Sequence, residues 1–257
     1  MVDEKERLGM VSHAEFKLSI TRALAAQLAE TIDQLTPAPL DENELATLLS
    51  KPGVYQLYHH GELVYVGKAD ESLPTRLGQH HRKIAGRQSI SVADMSFNCL
   101  YVEEDLSAVA PETLLIKRYR AADGLPWDGS GFGRKDPGSE RDTTKIAKFD
   151  AWYPIRLDWP CPSLAGDHKI VDLLKLLKEE LPYLFRYQEA TKTPANQPAA
   201  YRESEAQVQT EATARDVLQA VVDGLPTGWQ ITALHGYVIM YQEDKTYPTA
   251  METIRHD

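Results

Sequence analysis

Four side chains that can activate water and bind an anion lie close together along the chain: Tyr55, Tyr65, Arg76 and His80. A tyrosine hydroxyl can position a water molecule, but its reference pKa of about 10 makes it a poor base unless nearby cations lower that pKa. A histidine titrates near neutral pH and can take a proton directly or through a tyrosine. An arginine offers a planar, permanently charged fork for a phosphate. Since Arg76 and His80 are four residues apart, they project from one face of a helix.

Two further residues extend this set. Glu112 is a hard oxygen ligand suited to Mg²⁺, with Mn²⁺ as a substitute. Lys68 is a cation that can lower the pKa of a neighbouring tyrosine. Simpler interpretations stay open: the tyrosines can be packed sheet residues, Arg76 can pair with a surface acid, and Glu112, early in a helix, can complement the helix dipole. His81 also adjoins His80, and only one of the two can share the face of Arg76.

Short secondary structure elements must position these residues. Residues 53–67 contain two β-favouring runs around His60-Gly61, which predicts a hairpin with a tight turn. Residues 74–86 predict a helix, residues 96–102 a third strand and residues 107–121 a second helix. This order predicts an α/β (α+β) fold with one small sheet flanked by helices.

The flanking regions predict a division of the chain into five parts. Apolar spacing predicts helices over residues 12–35, 41–49 and 168–187. A helix over residues 214–222 precedes two strands that meet at His235-Gly236. The expected parts are a helical arm (1–50), a core (51–160), a helical extension (161–190), a polar linker (191–212) and a small α+β accessory segment (213–257).

Composition limits the classes of protein. The chain has 257 residues, a net charge of -10 and two cysteines, Cys99 and Cys161, which we expect to be reduced in the cytoplasm. No apolar run has the roughly 18 residues that a membrane span needs, and the N-terminus does not resemble a secretory signal. An acidic chain argues mildly against nucleic acid, but the stretch from Lys68 to Arg87 is locally basic.

The order of these motifs resembles the GIY-YIG nuclease superfamily. The elements that carry the resemblance are Gly53-Val54-Tyr55, Tyr65-Val66-Gly67, Arg76, Glu112 and Pro126-Trp127-Asp128. Further features are similar to the type II restriction endonuclease branch: the stretch at residues 65–69, His80 one helical turn after Arg76, and the Gly-rich segment at residues 131–138.

The resemblance implies a site-specific endonuclease that hydrolyses double-stranded DNA as a homodimer on palindromic sites. Such a reaction needs an activated water, charge neutralisation at the phosphate and a stabilised leaving oxygen. It implies that Tyr55 and Tyr65 face the cleft and that Glu112 is the only direct protein ligand of one divalent metal ion. Arg134 and Lys135 are candidates for DNA contact, together with Lys68 and Arg76.

Two departures from the family pattern keep other functions open. Asp128 stands where the family usually has an asparagine, and an ionised aspartate cannot donate a hydrogen bond. Arg134-Lys135 stands where a more polar pair is expected. One alternative is therefore a catalytically impaired DNA-binding or interaction module on the same fold. Another is a repair or mobile-element nuclease, which is disfavoured because the C-terminal segment is small and not visibly basic.

Overall fold

A computed structural model describes residues 20–102, 115–116, 118–119, 124–133, 136, 138–188 and 198–256. The described helices are α1 (Ile20–Asp33), α2 (Glu42–Ala46), α3 (Leu73–Ala85), α4 (Lys148–Trp152), α5 (Ile170–Glu180), α6 (Ala199–Glu203) and α7 (Ala214–Gly224). The described strands are β1 (Ala38–Pro39), β2 (Gly53–His59), β3 (Glu62–Ala69), β4 (Met95–Tyr101), β5 (Gly166–Lys169), β6 (Leu184–Tyr187), β7 (Glu205–Val208), β8 (Trp229–Leu234), β9 (Tyr237–Gln242) and β10 (Ala250–Ile254).

The first sheet is antiparallel, in the order β1-β4-β2-β3. The β2–β3 hairpin turns at His60 and Gly61, whose φ angles of 51° and 80° are both positive, as a type I′ turn requires. In the resulting register Tyr55 lies opposite Gly67. The predicted α/β class with a small antiparallel sheet is confirmed.

Both faces of this sheet are covered. On one face, α3 buries Leu77 and Ile84 in a core that also contains Trp127 and Phe149. On the other face, Ala29 and Ile32 of α1 pack with Val54, Val66 and Leu115. Residues 115, 116, 118 and 119 are helical, and the remainder of the helix predicted over residues 107–121 lies outside the described residues.

Helix α3 begins and ends at recognisable signals. Ser72 caps its N-terminus, Pro74 occupies the first turn, and Gly86 follows its end. A Cβ at Gly86 would come within 2.4 Å of the Pro182 side chain. The close approach places the end of α3 against the C-terminal half of the chain.

A second lobe contains another four-stranded sheet, in the order β10-β8-β9-β6, and the small pair β5-β7. Strand β6 runs parallel to β9, so the segment before residue 188 and the C-terminal residues share one sheet. Helices α5 and α7 bury their apolar faces in the same core, against residues such as Phe185, Trp229 and Ile231.

This lobe corrects two sequence expectations. Instead of one helix over residues 168–187, α5 lies between β5 and β6, because Pro182 cannot continue a helix and the aromatic rings of Phe185 and Tyr187 are buried. Within the predicted linker over residues 191–212, α6 and β7 are ordered elements. Tyr201 is fully buried there, so part of this polar segment contributes to the core.

Buried polar contacts join the two lobes. The Arg87 guanidinium forms an ion pair with Asp150 at 2.9 Å and donates to the backbone oxygens of Tyr153 and His235. Asp142 accepts hydrogen bonds from Arg186 at 3.0 Å and from the Tyr237 hydroxyl at 2.9 Å. No helix in the described ranges is long and apolar enough to cross a membrane.

Candidate active site

Tyr55, His80 and Arg76 form one hydrogen-bonded unit between β2 and α3. The Tyr55 hydroxyl lies 2.7 Å from His80 Nε2, and Arg76 Nε donates to the same hydroxyl at 3.3 Å. Tyr55 is fully buried and His80 is only 2% exposed. The three residues therefore occupy fixed positions, and the structure brings together side chains that the sequence singled out separately.

The protonation state of His80 follows from its surroundings. Burial, and then the nearby charges of Arg76 and Lys83, hold its pKa well below the ordinary value. The imidazole is therefore neutral near pH 7. With Nε2 unprotonated, it can accept the proton of the Tyr55 hydroxyl, which makes Tyr55 and His80 a path along which a proton can move away from an attacking water.

Two glycines make room for the tyrosines. A Cβ at Gly67 would lie 2.2 Å from the Tyr55 hydroxyl oxygen, so any larger residue would displace that hydroxyl. A Cβ at Gly133 would lie 2.5 Å from the Tyr65 hydroxyl oxygen. The Gly133 carbonyl also accepts a hydrogen bond from Arg76 at 3.2 Å, so this glycine contacts both the second tyrosine and the arginine.

Tyr65 completes the cluster from β3. Its ring centroid lies 6.3 Å from that of Tyr55 and 5.8 Å from that of His80. Phe132 packs against the edge of Tyr65 and stacks on the His80 ring at 4.6 Å. The Gly-rich segment was noted in the sequence for its resemblance alone, and Phe132 was not among the candidate site residues. The sequence feature that could have indicated Phe132 is its position between Gly131 and Gly133, because glycines let the backbone approach the site closely.

Lys68 lies apart from the tyrosine pair. By strand alternation it shares a face of β3 with Val66, opposite the face of Tyr65 and Gly67. Its Nζ forms an ion pair with Asp70 at 2.8 Å. A catalytic or DNA-contacting role for Lys68 stays a prediction.

Three predicted site residues, Glu112, Arg134 and Lys135, lie outside the described residues. Asp128, at the position where the family has asparagine, is partly exposed and follows the buried Trp127. The Trp127 backbone N–H donates to the Val64 oxygen at 3.0 Å, which attaches this loop to β3.

A basic stripe runs along α3 from the tyrosines towards the second lobe. It is formed by Arg76, His80 and Lys83, which are spaced so that they lie on one side of the helix, and by Arg87, which follows the end of the helix. The Lys83 ammonium donates to the Phe132 carbonyl at 2.6 Å. Burial, followed by the charge of Arg87, lowers the pKa of Lys83 from 10.5 to about 7, although Asp150 acts in the opposite direction. The sequence showed these cations only as part of a basic stretch.

The stripe lines a cavity of about 590 Å³ between the two lobes. Its wall carries many more cations than acids. The charged residues that line it are Arg76, Arg82, Lys83, Arg87, Arg141, Lys145, Lys178 and Asp150. Because Asp150 pairs with Arg87, the described part of the cavity suits an anion. The buried Nε of Arg87 also has no hydrogen-bond partner among the described residues.

A divalent metal would need a ligand other than these cations. Within the described part of the cleft the oxygen donors are hydroxyls, backbone carbonyls and the Gln79 amide oxygen, which accepts from Arg76, while Asp150 is already paired with Arg87. The metal-binding role of Glu112, whose carboxylate is a suitable ligand for such an ion, stays a prediction.

Comparison with known proteins agrees with this arrangement. No curated protein matches the chain. The family model of the Eco29kI GIY-YIG domain matches residues 64–159, a range that includes Tyr65, Arg76 and His80, while Tyr55 joins the site through the adjoining strand. Residues 64–159 are therefore similar to the Eco29kI GIY-YIG domain, which represents a type II restriction endonuclease family.

Proposed function

We propose that this protein is a site-specific endonuclease that hydrolyses double-stranded DNA with one divalent metal ion, as a type II restriction enzyme does. The observation that carries the proposal is the buried pair of Tyr55 and His80, with Arg76 hydrogen-bonded to it, beside the segment that matches a GIY-YIG domain. His80 is neutral and bonds the Tyr55 hydroxyl, which also contacts Arg76. Burying this set of polar groups costs free energy, so a packing role alone does not account for it. The arrangement suits proton transfer beside a bound phosphate.

The side chains divide the chemistry as follows. Tyr55 positions the attacking water and receives its proton, while His80 accepts the proton that Tyr55 gives up. Arg76 retains N–H groups beyond those donated to Tyr55, Gln79 and Gly133, and these bind the phosphate. A Mg²⁺ or Mn²⁺ ion held by Glu112 would neutralise charge on the phosphate and the leaving oxygen.

DNA is the substrate class that best fits the basic cavity. The net charge of the chain is -10, so a local concentration of cations beside Tyr55 and His80 marks a specific anionic partner. Phosphates of one strand would approach Arg76 and the other cations that line this cavity. Arg134 and Lys135 follow directly after Gly133 and are proposed as further DNA contacts.

A homodimer is the proposed active form. One site cuts one strand, and two sites related by two-fold symmetry match the symmetry of a palindromic sequence. Recognition would use side chains that enter the major groove, together with cations that fix the duplex position.

Cleavage of plasmid DNA in Mg²⁺, with and without EDTA, tests the activity, and sequencing the fragment ends gives the site and the cut geometry. Glu112→Gln is expected to reduce cleavage at least about 100-fold and to leave DNA affinity within a few-fold, because it removes the metal ligand but keeps the cations. Full activity of this variant in Mg²⁺ would contradict the role of Glu112.

The second candidate function is a catalytically impaired DNA-binding module, favoured by Asp128 in place of asparagine. The same assay separates the two functions. Tight DNA binding without cleavage in Mg²⁺ or Mn²⁺ would favour the module, and restoration of cleavage in Asp128→Asn would assign the impairment to that residue.

A further inference from the structure

A cluster of metal-ligating side chains lies at the turn of the β2–β3 hairpin, separate from the Tyr55–His80 unit. One ligand atom each from His59, His60 and Asp94 can be chosen so that all three lie within 4.8 Å of one another. His60 Nδ1 and Asp94 Oδ1 are 3.7 Å apart. In a tetrahedral zinc site with bonds of about 2.1 Å, neighbouring ligand atoms are about 3.4 Å apart, so small side-chain rotations would suffice.

The backbone holds the three residues in place. The His60 N–H donates to the Asp94 carbonyl oxygen at 2.9 Å, and His59 pairs with Met95 across β2 and β4. The short 3-10 turn Val92–Asp94 is capped by the Ser91 side chain. The cluster therefore lies on two segments whose separation is fixed by the sheet, which reduces the entropy lost when a ligand binds.

His60 also adopts an unusual backbone conformation. Its φ of 51° lies in the left-handed region, where the first position of a type I′ turn usually has asparagine, aspartate or glycine. A histidine at this position places its ring 4.2 Å from that of His59, centroid to centroid. A histidine at this turn position, with a second imidazole and a carboxylate beside it, is an arrangement that a bound ion explains.

We propose that His59, His60 and Asp94 bind a Zn²⁺ ion, with water as the fourth ligand. Two imidazoles favour zinc over magnesium, which prefers an all-oxygen set, so this ion is distinct from the one proposed at Glu112. The ion would attach the hairpin turn to the segment that precedes β4. Aromatic residues separate this ion from the cleft: His59 faces Trp127, which packs on Phe132.

The test uses the full chain and two substitutions that remove ligands without breaking the core. His60→Gly keeps the positive φ at no steric cost, so the metal-free protein should be at least as stable as the wild type. Asp94→Asn removes the carboxylate charge at an exposed position. His168→Gln is the matched control, because it removes a histidine from β5 in the other lobe.

Calorimetric titration with Zn²⁺, in excess Mg²⁺, should give one more bound equivalent in the wild type and His168→Gln than in His60→Gly. At a Zn²⁺ concentration 100-fold above Kd, the Tm of the wild type should rise by about 5 °C or more, and this rise should be lost in His60→Gly and greatly reduced in Asp94→Asn. Co²⁺ in place of Zn²⁺ should give the visible absorption of a tetrahedral site in the wild type and in His168→Gln, but not in His60→Gly. Equal stoichiometry and equal Tm shifts in the wild type and His60→Gly would overturn the proposal, whatever the outcome of the DNA cleavage assays.

Discussion

In the proposed proton path, Tyr55 and His80 act through one hydrogen bond, so replacing either residue removes the path. Each loses its partner when the other is replaced, because the Tyr55 hydroxyl and His80 Nε2 are 2.7 Å apart in a buried site. Residues that work as a unit show strongly non-additive effects on rate. Non-additive effects of the two substitutions on the cleavage rate would therefore distinguish a shared proton path from two independent catalytic contributions.

Tyr55→Phe and His80→Gln should each lower the single-turnover cleavage rate about 10²–10⁴-fold, the range for loss of a general base. The double variant should be hardly slower than the worse single variant. Tyr58→Phe on the same strand is the control, since Tyr58 bonds Gln56 and Asn98 rather than the site. Multiplication of the two single losses in the double variant would refute the shared path.

Lys83 gives the protein a measurable dependence on pH. Its pKa is about 7 in the folded chain, below the value of 10.5 expected when unfolded. Between these values the unfolded state binds more protons, so the free energy of unfolding rises with pH by at most about 1.4 kcal/mol per unit. Well below pH 7, Lys83 is protonated in both the folded and the unfolded states, so its contribution to the free energy of unfolding no longer changes with pH.

Chemical denaturation at pH 6.5 and 8.5 tests this assignment, with Lys83→Met as the comparison. The wild type should gain stability relative to the variant as the pH rises, because only the wild type releases this proton on folding. An unchanged difference between the two proteins at both pH values would show that Lys83 does not titrate in this window.

At the scale of elements, the β2–β3 hairpin places Gly67 opposite Tyr55 and so leaves room for the Tyr55 hydroxyl. Gly67→Ala would place a methyl group 2.2 Å from the Tyr55 oxygen, so the ring must move away from His80. We expect a loss of about 1–3 kcal/mol in stability, as for other overpacked sites, and a cleavage rate near that of Tyr55→Phe.

Gly78→Ala is the matched control for this substitution. Gly78 lies within α3, and a Cβ there meets no atom within 4 Å. The helix should gain about 0.5–1 kcal/mol, with cleavage unchanged. If Gly67→Ala cleaved at the wild-type rate, the close contact would not control the position of Tyr55.

At the scale of the whole molecule, Arg87 joins the lobes and the cavity between them. It is 3% exposed, and its partner Asp150 lies beside Gly236, where a Cβ would come within 2.4 Å of a carboxylate oxygen. Removing the guanidinium leaves Asp150 without its ion pair in the interface. The loss in the free energy of unfolding should therefore be that of breaking a buried ion pair, which is larger than the loss from an exposed pair.

Arg87→Ala should lower the free energy of unfolding by about 3–5 kcal/mol and separate the unfolding of the two lobes. Arg156→Ala is the control, because the exposed pair of Arg156 and Asp158 should contribute at most about 1 kcal/mol. Calorimetry distinguishes the variants. A single transition with an unchanged midpoint in Arg87→Ala would show that the lobes are held together by other contacts.

The sequence by itself determined the local features. The β-favouring runs around His60-Gly61 predicted the hairpin, and the spacing of Arg76 and His80 placed both on one face of α3, because these patterns depend on neighbouring residues alone. The order of motifs then indicated the family, and the family match to residues 64–159 confirmed it. The roles of all the candidate site residues, including Glu112, Arg134 and Lys135, remain predictions.

Only the tertiary structure decided which distant residues meet. It placed Phe132 on His80, Lys83 on the Phe132 carbonyl, and Arg87 against the second lobe. It also paired β6 in parallel with β9, two segments far apart in the chain, and packed α6 and β7 where a linker was predicted. Such contacts depend on long-range packing rather than on local propensity, so no pattern within a short window of sequence could specify them.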